Sequence, residues 1–141
     1  MEILNRKAHY NYFIKETYEA GIELVGTEIK SIRKGSCNIN ECYGRVKNGE
    51  IFLTNMYIAK YDEGNRFNHD ERRTRKLLLH KTEIKRLKEE TQKQGYTLIP
   101  LEVYIKNNHA KVLLGICQGK HNYDKRQTIK ERDLQREVRN A

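Results

Sequence analysis

The residues best suited to chemistry in this sequence are cations grouped in one stretch. Residues 66–88 contain nine Lys or Arg and three Asp or Glu, a local excess of six positive charges. The densest part is 72–76, Arg-Arg-Thr-Arg-Lys, and three leucines follow it at 77–79. Arginine can bind phosphate through two parallel hydrogen bonds, and the leucines would anchor the cations to a rigid scaffold. We predict a phosphate-binding surface here, against the alternative of an ordinary solvated face.

A second candidate segment begins at Gly119, where the composition changes. Residues 119–141 contain seven Lys or Arg, four Asp or Glu, and only three aliphatic residues beyond alanine, too few to form a core. Tyr123 could stack on a base there. The neighbouring cations that could contact phosphates are Lys120, Lys125 and Arg126. We predict a basic flexible tail, disordered when free and able to become helical against a partner; a solvated tail without a ligand is the alternative.

Side chains that could perform acid–base catalysis are scattered along the chain. An enzyme such as a ribonuclease could recruit Glu19, Glu28, His9 and His69. The sequence shows no paired acid–base motif, no Gly-rich phosphate loop and no acidic metal cluster. We therefore expect a protein that is not an enzyme and needs no cofactor.

The three cysteines, Cys37, Cys42 and Cys117, are odd in number and form no C-x-x-C pair. No histidine near Cys37 or Cys42 completes a zinc-ligand spacing, so we expect no metal site and ordinary thiols in a reducing compartment. Residues 1–25 lack the apolar run of a signal peptide, and no stretch reaches transmembrane length. We expect a cytoplasmic protein that does not associate with membranes.

The charge balance narrows the class of partner. The chain has 141 residues, with 28 Lys or Arg against 19 Asp or Glu, and a formal net charge of +9. Basic residues near phosphates release condensed counterions, so nucleic acid is the leading partner, an anionic membrane the second, and mere solubility the alternative. Nine tyrosines and three phenylalanines could stack on bases, although we expect most of them in the core or in half-buried strands.

The elements that must position these residues begin with a strand and a helix. We predict a short polar arm at 1–9 and then a strand from Tyr10 that bends or bulges at 19–21. Residues 27–34 predict a short helix with Thr27 as its N-cap, which ends at Gly35.

Two hairpins are predicted from their turn residues. Asn48 and Gly49 tolerate positive φ and join two strand-like runs, and residues 107–109 join two more. Pro100 predicts a strand start, an edge or a bulge. Between the hairpins we predict a loop at 60–73, a buried turn or strand at 76–80 and a helix at 82–94, with Ile84 and Leu87 facing inward and Gly95 ending it.

The order of these elements predicts a mainly β fold with flanking helices. We assign it as an OB-type antiparallel β-barrel at residues 1–118, followed by the basic flexible C-terminal tail at 119–141. Such barrels often bind nucleic acid, although fold alone does not establish function.

Short motifs in a fixed order and spacing cover residues 5–132. They are Asn5-Arg-Lys-Ala, Tyr18-Glu-Ala-Gly-Ile, Gly26-Thr-Glu-Ile-Lys-Ser-Ile-Arg, Arg75-Lys-Leu-Leu-Leu-His-Lys, Gly95-Tyr-Thr-Leu-Ile-Pro-Leu, Lys111-Val, and Gly119-Lys followed by Tyr-Asp-Lys-Arg. Each motif alone is weak, but together they are specific. The sequence resembles the SsrA-binding proteins, the SmpB family of tmRNA-binding factors in trans-translation. Lys60 stands where this family usually has proline, and the family's common proline after Asp70 is absent, so loop stiffness should differ.

The resemblance implies an OB-type barrel that binds the tRNA-like domain of tmRNA, largely at the elbow near the D-loop. It implies that the tail enters the vacant mRNA path of the ribosomal small subunit, contacts its rRNA and folds there. It also implies that alanyl-tmRNA is delivered with elongation factor Tu, so that the stalled peptide is tagged and the ribosome is rescued. We expect the protein to be a monomer.

The resemblance also assigns residues one by one. Glu19 matches a carboxylate needed for RNA binding, Leu79 matches a position that supports the RNA-binding surface, Gly119 would be a flexible joint, and Tyr123 would stack on a decoding-centre nucleotide. The predicted tmRNA-binding set is Lys7, Tyr12, Glu19, Lys30, Arg33, Asn38, Arg73, Arg75, Lys76, Leu79, Lys81 and Lys111. The predicted ribosome-facing set is Gly119, Lys120, Tyr123, Asp124, Lys125 and Arg126.

Besides an enzyme, two other functions are compatible with these residues. A general binder of single-stranded nucleic acid on an OB scaffold explains the charge and the aromatic residues equally well, although it does not explain the basic tail. A ribosomal structural protein would be a constant component of ribosomes rather than one recruited on stalling.

Overall fold

The fold is an antiparallel sheet that curves around an apolar core, with helices packed against it. The computed structural model describes residues 2–61, 68–93 and 95–120. The helices are α1 (Arg6–Asn11), α2 (Gly26–Arg33) and α3 (Lys81–Thr91). The strands are β1 (Glu2–Leu4), β2 (Tyr12–Ile22), β3 (Cys37–Asn38), β4 (Tyr43–Lys47), β5 (Glu50–Thr54), β6 (Tyr57–Ile58), β7 (Arg75–Leu78), β8 (Tyr96–Lys106) and β9 (His109–Gly119). The predicted mainly β fold with flanking helices is confirmed.

The main sheet closes on itself through its longest strands. Its order is β1-β8-β4-β5-β7-β2-β9, with every pairing antiparallel, and β8 pairs with β9 as well. Six strands, β8, β4, β5, β7, β2 and β9, therefore form a closed circuit, and β1 adds to the edge of β8. The join between β4 and β8 is a single register pair, Gly44 with Leu98. Strands β3 and β6 form a separate ribbon.

Both predicted hairpins are present, because their turns depend on local chemistry. Asn48 and Gly49 have φ of 53° and 75°, and Asn107 and Asn108 have φ of 51° and 64°. Two successive residues with positive φ match the right-handed twist of the flanking strands. The second turn is one residue shorter than predicted, because His109 already belongs to β9. Pro100 lies at an irregularity in the pairing of β8 with β9, as predicted.

Helix α2 begins before the residue that we predicted as its N-cap. The Glu28 side chain accepts a hydrogen bond from the Val25 backbone N–H at 2.9 Å and so satisfies one free donor at the start of the helix. Thr27 lies inside the first turn, and its hydroxyl is 2.9 Å from Nδ1 of His69, so the predicted cap is wrong. Gly35, with φ of 77°, ends the helix as predicted.

Helix α3 covers the core as predicted but is shorter at its C-terminus. Ile84 and Leu87 are buried and belong to the main apolar cluster. The helix ends at Thr91 rather than at residue 94, and Gly95 has a φ of 87° just before β8. The predicted strand at 76–80 is present as β7, which begins one residue earlier, at Arg75.

The predicted N-terminal arm is wrong, because residues 2–11 form β1 and α1. Asn5 is buried, its Nδ2 donates to the carbonyls of Ile39 at 3.1 Å and Pro100 at 2.9 Å, and its Oδ1 accepts from the Ala8 N–H at 3.2 Å. This side chain caps α1 and ties it to two distant segments. Tyr10 therefore lies in a helix rather than a strand, and its side chain is 80% exposed.

Strand β2 is irregular at a different place from the one predicted. Its register with β9 shifts between Ile14 and Glu16 and is regular from Glu16 to Gly21. The predicted bend or bulge at 19–21 is therefore wrong. The regular register keeps Glu19 and Gly21 on one face of the strand, opposite the buried residues Ala20 and Ile22.

Strand β9 extends one residue past the boundary that we predicted for the barrel. Gly119 pairs with Tyr12, and Lys120 donates from Nζ to the carbonyl of His9 at 3.0 Å. The flexible joint predicted at Gly119 is therefore corrected, because this glycine is held in the sheet. The rest of the predicted tail lies outside the described residues, including Tyr123, Asp124, Lys125 and Arg126.

Candidate nucleic-acid interface

The predicted basic surface at 72–76 is divided by a buried ion cluster. Arg75 has no exposed side-chain surface, and its Nε donates to Oε2 of Glu28 at 2.5 Å. Its four other N–H groups are oriented to backbone carbonyls: Nη1 to Met56 at 2.6 Å and Arg73 at 3.1 Å, Nη2 to Asp70 at 3.3 Å and Glu71 at 3.2 Å. A guanidinium has five donors, and all five are occupied here. Arg75 cannot bind phosphate, so that prediction is wrong.

Glu28 is the centre of this cluster and is also fully buried. Arg73 contacts both of its oxygens, from Nε at 3.1 Å and from Nη2 at 2.5 Å. Burial alone would raise the pKa of the Glu28 carboxyl, but hydrogen bonds from Arg73, the Val25 N–H and Arg75 outweigh it, and the pKa lies below its ordinary value. We name Glu28, Arg73 and Arg75 the Glu28 cluster. It joins α2 to β7 and to the segment that precedes β7.

The other members of the basic run are more accessible. Lys76 is partly exposed, and its Nζ is 3.2 Å from Oε1 of Glu50 on β5. Arg72 is exposed, donates to Asn55 Oδ1 at 3.0 Å and lies 5.1 Å from the ring centre of Tyr57. The run therefore does not present one continuous face to a polyanion.

A row of four residues on the outer face of the sheet crosses four strands, on the opposite side of β7 from the Glu28 cluster. Leu78 of β7 pairs with Gly21 of β2, Gly21 pairs with Lys111 of β9, and Lys111 pairs with Tyr104 of β8. We name these four residues the outer row. Leu78 is 48% exposed, although it is a large apolar residue. A groove of about 620 Å³ runs beside the row. Leu78 and Lys111 line it, together with residues of the segment after β2 and of the turn between β8 and β9.

Gly21 brings the apolar part of this row close to the sheet. A Cβ atom placed on Gly21 would lie 3.3 Å from the Cβ of Leu78, closer than most such contacts in proteins. The leucine side chain therefore rests over the glycine and forms a flat apolar surface between strands. An unstacked base or a ribose can rest on such a surface, and the adjacent lysine can reach a phosphate.

Glu19 lies beside the outer row and is held by two groups of β8. Its carboxylate accepts hydrogen bonds from the Tyr104 hydroxyl and from Lys106 Nζ, the latter at 3.4 Å. The Tyr104 hydrogen bond, with support from Lys106 and Lys111, holds the pKa of Glu19 below its ordinary value. Burial and the same carboxylate raise the pKa of Tyr104 to about 12. Glu19 is thus a fixed anion within a positive surrounding.

Leu79, which we predicted to support the RNA-binding surface, does not belong to the outer row. Leu79 is half-buried and packs against the main core, whereas Leu78 is exposed. Sequence reasoning also missed Tyr104 and Lys106. Side chains alternate along a strand, so Leu78 faces opposite to the buried Leu77, but the unbroken run of three leucines carries no signal of which one faces outward.

The remaining predicted residues lie in separate places. Lys7 of α1 pairs with Glu41 at 2.8 Å, beside a second groove of about 460 Å³ that Tyr12 also lines. Asn38 is exposed, and its Oδ1 accepts from the Asn40 N–H at 2.8 Å. Three predicted residues are exposed cations on the two longer helices: Lys30 and Arg33 on α2 and Lys81 on α3. Of the predicted tmRNA-binding set, the structure brings only Glu19 and Lys111 together at the outer row.

Two more of the side chains considered for acid–base catalysis, besides Glu19, have structural contacts. Glu28 is enclosed in its cluster, and buried His69 is bonded to Thr27 through Nδ1 and lies 2.8 Å from the Ile58 carbonyl through Nε2. Burial raises the pKa of each cysteine to about 12. No group of three or more His, Cys, Asp or Glu within the described ranges could hold a metal ion. Nor is any helix in that part of the chain long and apolar enough to cross a membrane.

Comparisons with known proteins agree with the predicted resemblance. The family model described as SmpB protein matches residues 2–141. The SsrA-binding protein of Ligilactobacillus salivarius (strain UCC118) is 64% identical over 135 residues, which cover 96% of this chain and 87% of the relative. The SsrA-binding protein of Geobacillus sp. (strain WCH70) is 59% identical over 137 residues, which cover 97% of this chain and 88% of the relative.

A solved structure gives the same result in three dimensions. A chain from a structure of tmRNA-SmpB and the bacterial ribosome superposes with a TM-score of 0.73 at 48% sequence identity, and the match covers 84% of each chain. This likeness supports the predicted OB-type barrel. By sequence and by fold, the chain belongs to the SmpB family of SsrA-binding proteins.

Proposed function

We propose that this protein binds tmRNA and brings it to stalled ribosomes for peptide tagging and ribosome rescue. The proposal rests on the family of the chain and on relatives that are named for SsrA binding. The observation that carries it in the structure is the outer row: an exposed leucine, a glycine and a lysine side by side on a rigid sheet. Such a surface suits a folded RNA with unstacked bases.

The outer row provides three kinds of contact to such an RNA. Leu78 offers an apolar surface for a base or a ribose, and Lys111 offers a cation to a phosphate. Glu19 can accept a hydrogen bond from a base amino group, and it also positions Lys106 beside the row. Because strands rather than loops hold these groups, their spacing is fixed before the RNA binds.

The finer parts of the proposal concern partners and location. The tRNA-like domain of tmRNA, at its elbow, is the part that would lie on the outer row. Residues 121–141 would enter the mRNA path of the small subunit and contact its rRNA, with Tyr123 stacked on a decoding-centre nucleotide. Delivery would involve alanyl-tmRNA and elongation factor Tu, with this protein as a monomer. A cytoplasmic location follows from this proposal, because that is where ribosomes stall.

The decisive experiment is a binding titration with the isolated tRNA-like domain of tmRNA at near-physiological salt. An ordinary tRNA serves as competitor, because it carries the same phosphate charge without the features of the tRNA-like domain. We expect tight binding that tRNA does not displace. If tRNA and homopolymeric RNA displace the domain equally well, the protein is instead a general binder of single-stranded nucleic acid.

The proposed division of labour between barrel and tail has its own test. Deletion of residues 121–141 should leave binding to the tRNA-like domain intact and abolish peptide tagging in a reconstituted translation reaction. The truncation begins after Lys120, because Gly119 and Lys120 are part of the described fold. Normal tagging by the truncated protein would contradict the role of the tail.

A further inference from the structure

Helix α3 uses its charged side chains differently on its two sides. Toward β2, Arg86 pairs with Glu16 through Nη2 and Oε1 at 2.5 Å, and Glu90 pairs with Lys15 at 2.8 Å. These ion pairs, together with the buried residues of the helix, fix its orientation on the sheet. The cations on the other side, which we name the α3 lysines, are Lys81, Lys85 and Lys88.

The α3 lysines are exposed, and their side chains form no ion pair or hydrogen bond with the described part of the chain. Their spacing of four and three residues places all three on one face of the helix. Like charges at this spacing repel each other, and Lys81 stands in the first turn, where the helix dipole disfavours a cation. The arrangement therefore opposes local helix stability unless an external anion neutralises it.

The three lysines line one wall of a groove between α3 and the β4–β5 hairpin. The groove has a volume of about 480 Å³, and Val46, Ile84 and Glu50 also line it. Glu50 supplies the only carboxylate among the described lining residues, and its Oε1 already faces Lys76 Nζ at 3.2 Å. The groove therefore carries an excess of positive charge.

We propose that the α3 lysines bind the phosphate backbone of the same RNA that lies on the outer row. This inference rests on the proposed function and adds a second contact surface to it. Leu78 and Lys81 are three residues apart, a distance of at most about 11 Å, so one RNA molecule can touch both. The stripe from Lys81 to Lys88 is about 10 Å long, which matches roughly three phosphates along one strand of a duplex.

RNA fits this face better than the other polyanionic partner, an anionic membrane. A helix that binds at a membrane surface inserts large apolar side chains beside its cations. Ile84 and Leu87 of α3 are instead buried in the core, and none of the large apolar residues exposed in the described part of the chain belongs to α3. The face offers charge without an apolar anchor.

The test is the salt dependence of binding to the tRNA-like domain, measured with the full chain between 50 and 200 mM salt. The variant K81Q/K85Q/K88Q should lower the slope of log K against log salt by about 2.7 in magnitude, since each duplex phosphate contact contributes about 0.9. The ratio of wild-type affinity to variant affinity should then fall by a factor of about 40 between the lowest and the highest salt concentration. Glutamine keeps the helix propensity close to that of lysine and removes the repulsion between the three charges, so the free variant should be at least as stable as the wild type.

Two matched controls separate a phosphate contact from a general loss of charge. The variant K81R/K85R/K88R keeps the charges and should keep the wild-type slope. The variant R6Q/R45Q/K60Q removes three exposed cations elsewhere and should change the slope much less. An equal change in this control would overturn the proposal, because the effect would then follow net charge alone.

The remaining outcomes distinguish this inference from the proposed function. If the wild type fails to bind the tRNA-like domain specifically, the proposed function itself is wrong. If the wild type binds and K81Q/K85Q/K88Q keeps its slope, the α3 lysines lie outside the interface. If that variant keeps its slope but loses sedimentation with phosphatidylserine vesicles that the wild type shows, the stripe serves a membrane and the RNA proposal fails.

Discussion

The Glu28 cluster and the outer row use the same types of side chain in opposite surroundings. In the Glu28 cluster, a carboxylate and an arginine are fully buried, and every donor of Arg75 has a partner inside the protein. In the outer row, Lys111 is half-buried and lines a groove open to solvent, and Glu19 beside the row is exposed. Both regions include residues of β7, which the cluster approaches from inside the fold and the row from outside.

The difference shows that a cation is available to RNA only when the fold has not already neutralised it. A buried guanidinium with five hydrogen bonds has no donor left, and removing it exposes a buried carboxylate to an apolar interior. Substitution of a lysine on the outer face of a strand changes the free energy of unfolding little. Stability and RNA binding should therefore respond separately to substitutions in the two regions.

The largest expected effect comes from Arg75→Met. This substitution removes the fully buried cationic partner of Glu28 and the donors to four backbone carbonyls, so we expect the free energy of unfolding to fall by about 3–5 kcal/mol. Urea denaturation at pH 7 measures the change. The matched control is Lys76→Met at the next position, where the ion pair with Glu50 is partly exposed and should contribute less than about 1 kcal/mol. Wild-type stability of Arg75→Met combined with weak RNA binding would place Arg75 in the interface after all.

Neighbouring leucines of β7 give the second test. Leu77→Ala removes a buried side chain and should cost about 2–5 kcal/mol of stability. Leu78→Ala should change stability by about 0.5 kcal/mol or less but weaken binding of the tRNA-like domain roughly tenfold, because one base contact contributes about 1–3 kcal/mol. Denaturation and titration on the same two variants measure both quantities. If the two variants lose stability and RNA affinity to the same extent, Leu77 and Leu78 do not have different roles.

The run of three leucines also explains why sequence reasoning found part of the site and misplaced the rest. Residues 75–79 show no alternation of polar and apolar residues, so the inward and outward positions of β7 could not be assigned from sequence. Pairing with Gly21 of β2 and the burial of Arg75 set that alternation, and both depend on distant segments. A charged residue inside the core reverses the usual assumption that arginine faces solvent.

The hairpins and the N-terminus also show that features set by local residues were predictable and features set by distant contacts were not. The turns at Asn48-Gly49 and at Asn107-Asn108 were predictable, because their chemistry is local. Helix α1 was not predictable, because Asn5 bonds to carbonyls 34 and 95 residues away along the chain. The family resemblance supplied the function class, but it did not separate buried cations from exposed ones.

Acid titration tests how much the charge of Glu28 contributes to the stability of the Glu28 cluster. Its pKa is depressed in the folded protein, so ionised Glu28 adds stability above the ordinary pKa of 4.5 and this stability is lost as pH falls through the folded value. The gap in unfolding free energy between wild type and Glu28→Gln should therefore be widest at pH 7 and narrow progressively below about pH 4.5. Denaturation curves across this range measure the gap.

Glu19→Gln is the matched control for that titration. The pKa of Glu19 is also depressed, but its side chain is exposed and solvent weakens its interactions. The difference in unfolding free energy between wild type and Glu19→Gln should therefore be small at every pH. A gap for Glu28→Gln that stays constant with pH would mean that the cluster acts through packing rather than through charge.

The smallest expected effect is that of Lys111→Gln, and it tests whether the outer row is a surface for phosphate. Lys111 pairs with Gly21 and Tyr104 in the sheet and forms no ion pair within the described residues, so the substitution should leave the denaturation curve unchanged. One lost phosphate contact should lower the slope of log K against log salt by about 0.9 in magnitude. Lys111→Arg should retain the slope, because the charge is kept. A Lys111→Gln variant that loses stability and keeps its salt dependence would put this lysine in the same class as Arg75, and the outer row would then be a structural element rather than an RNA surface.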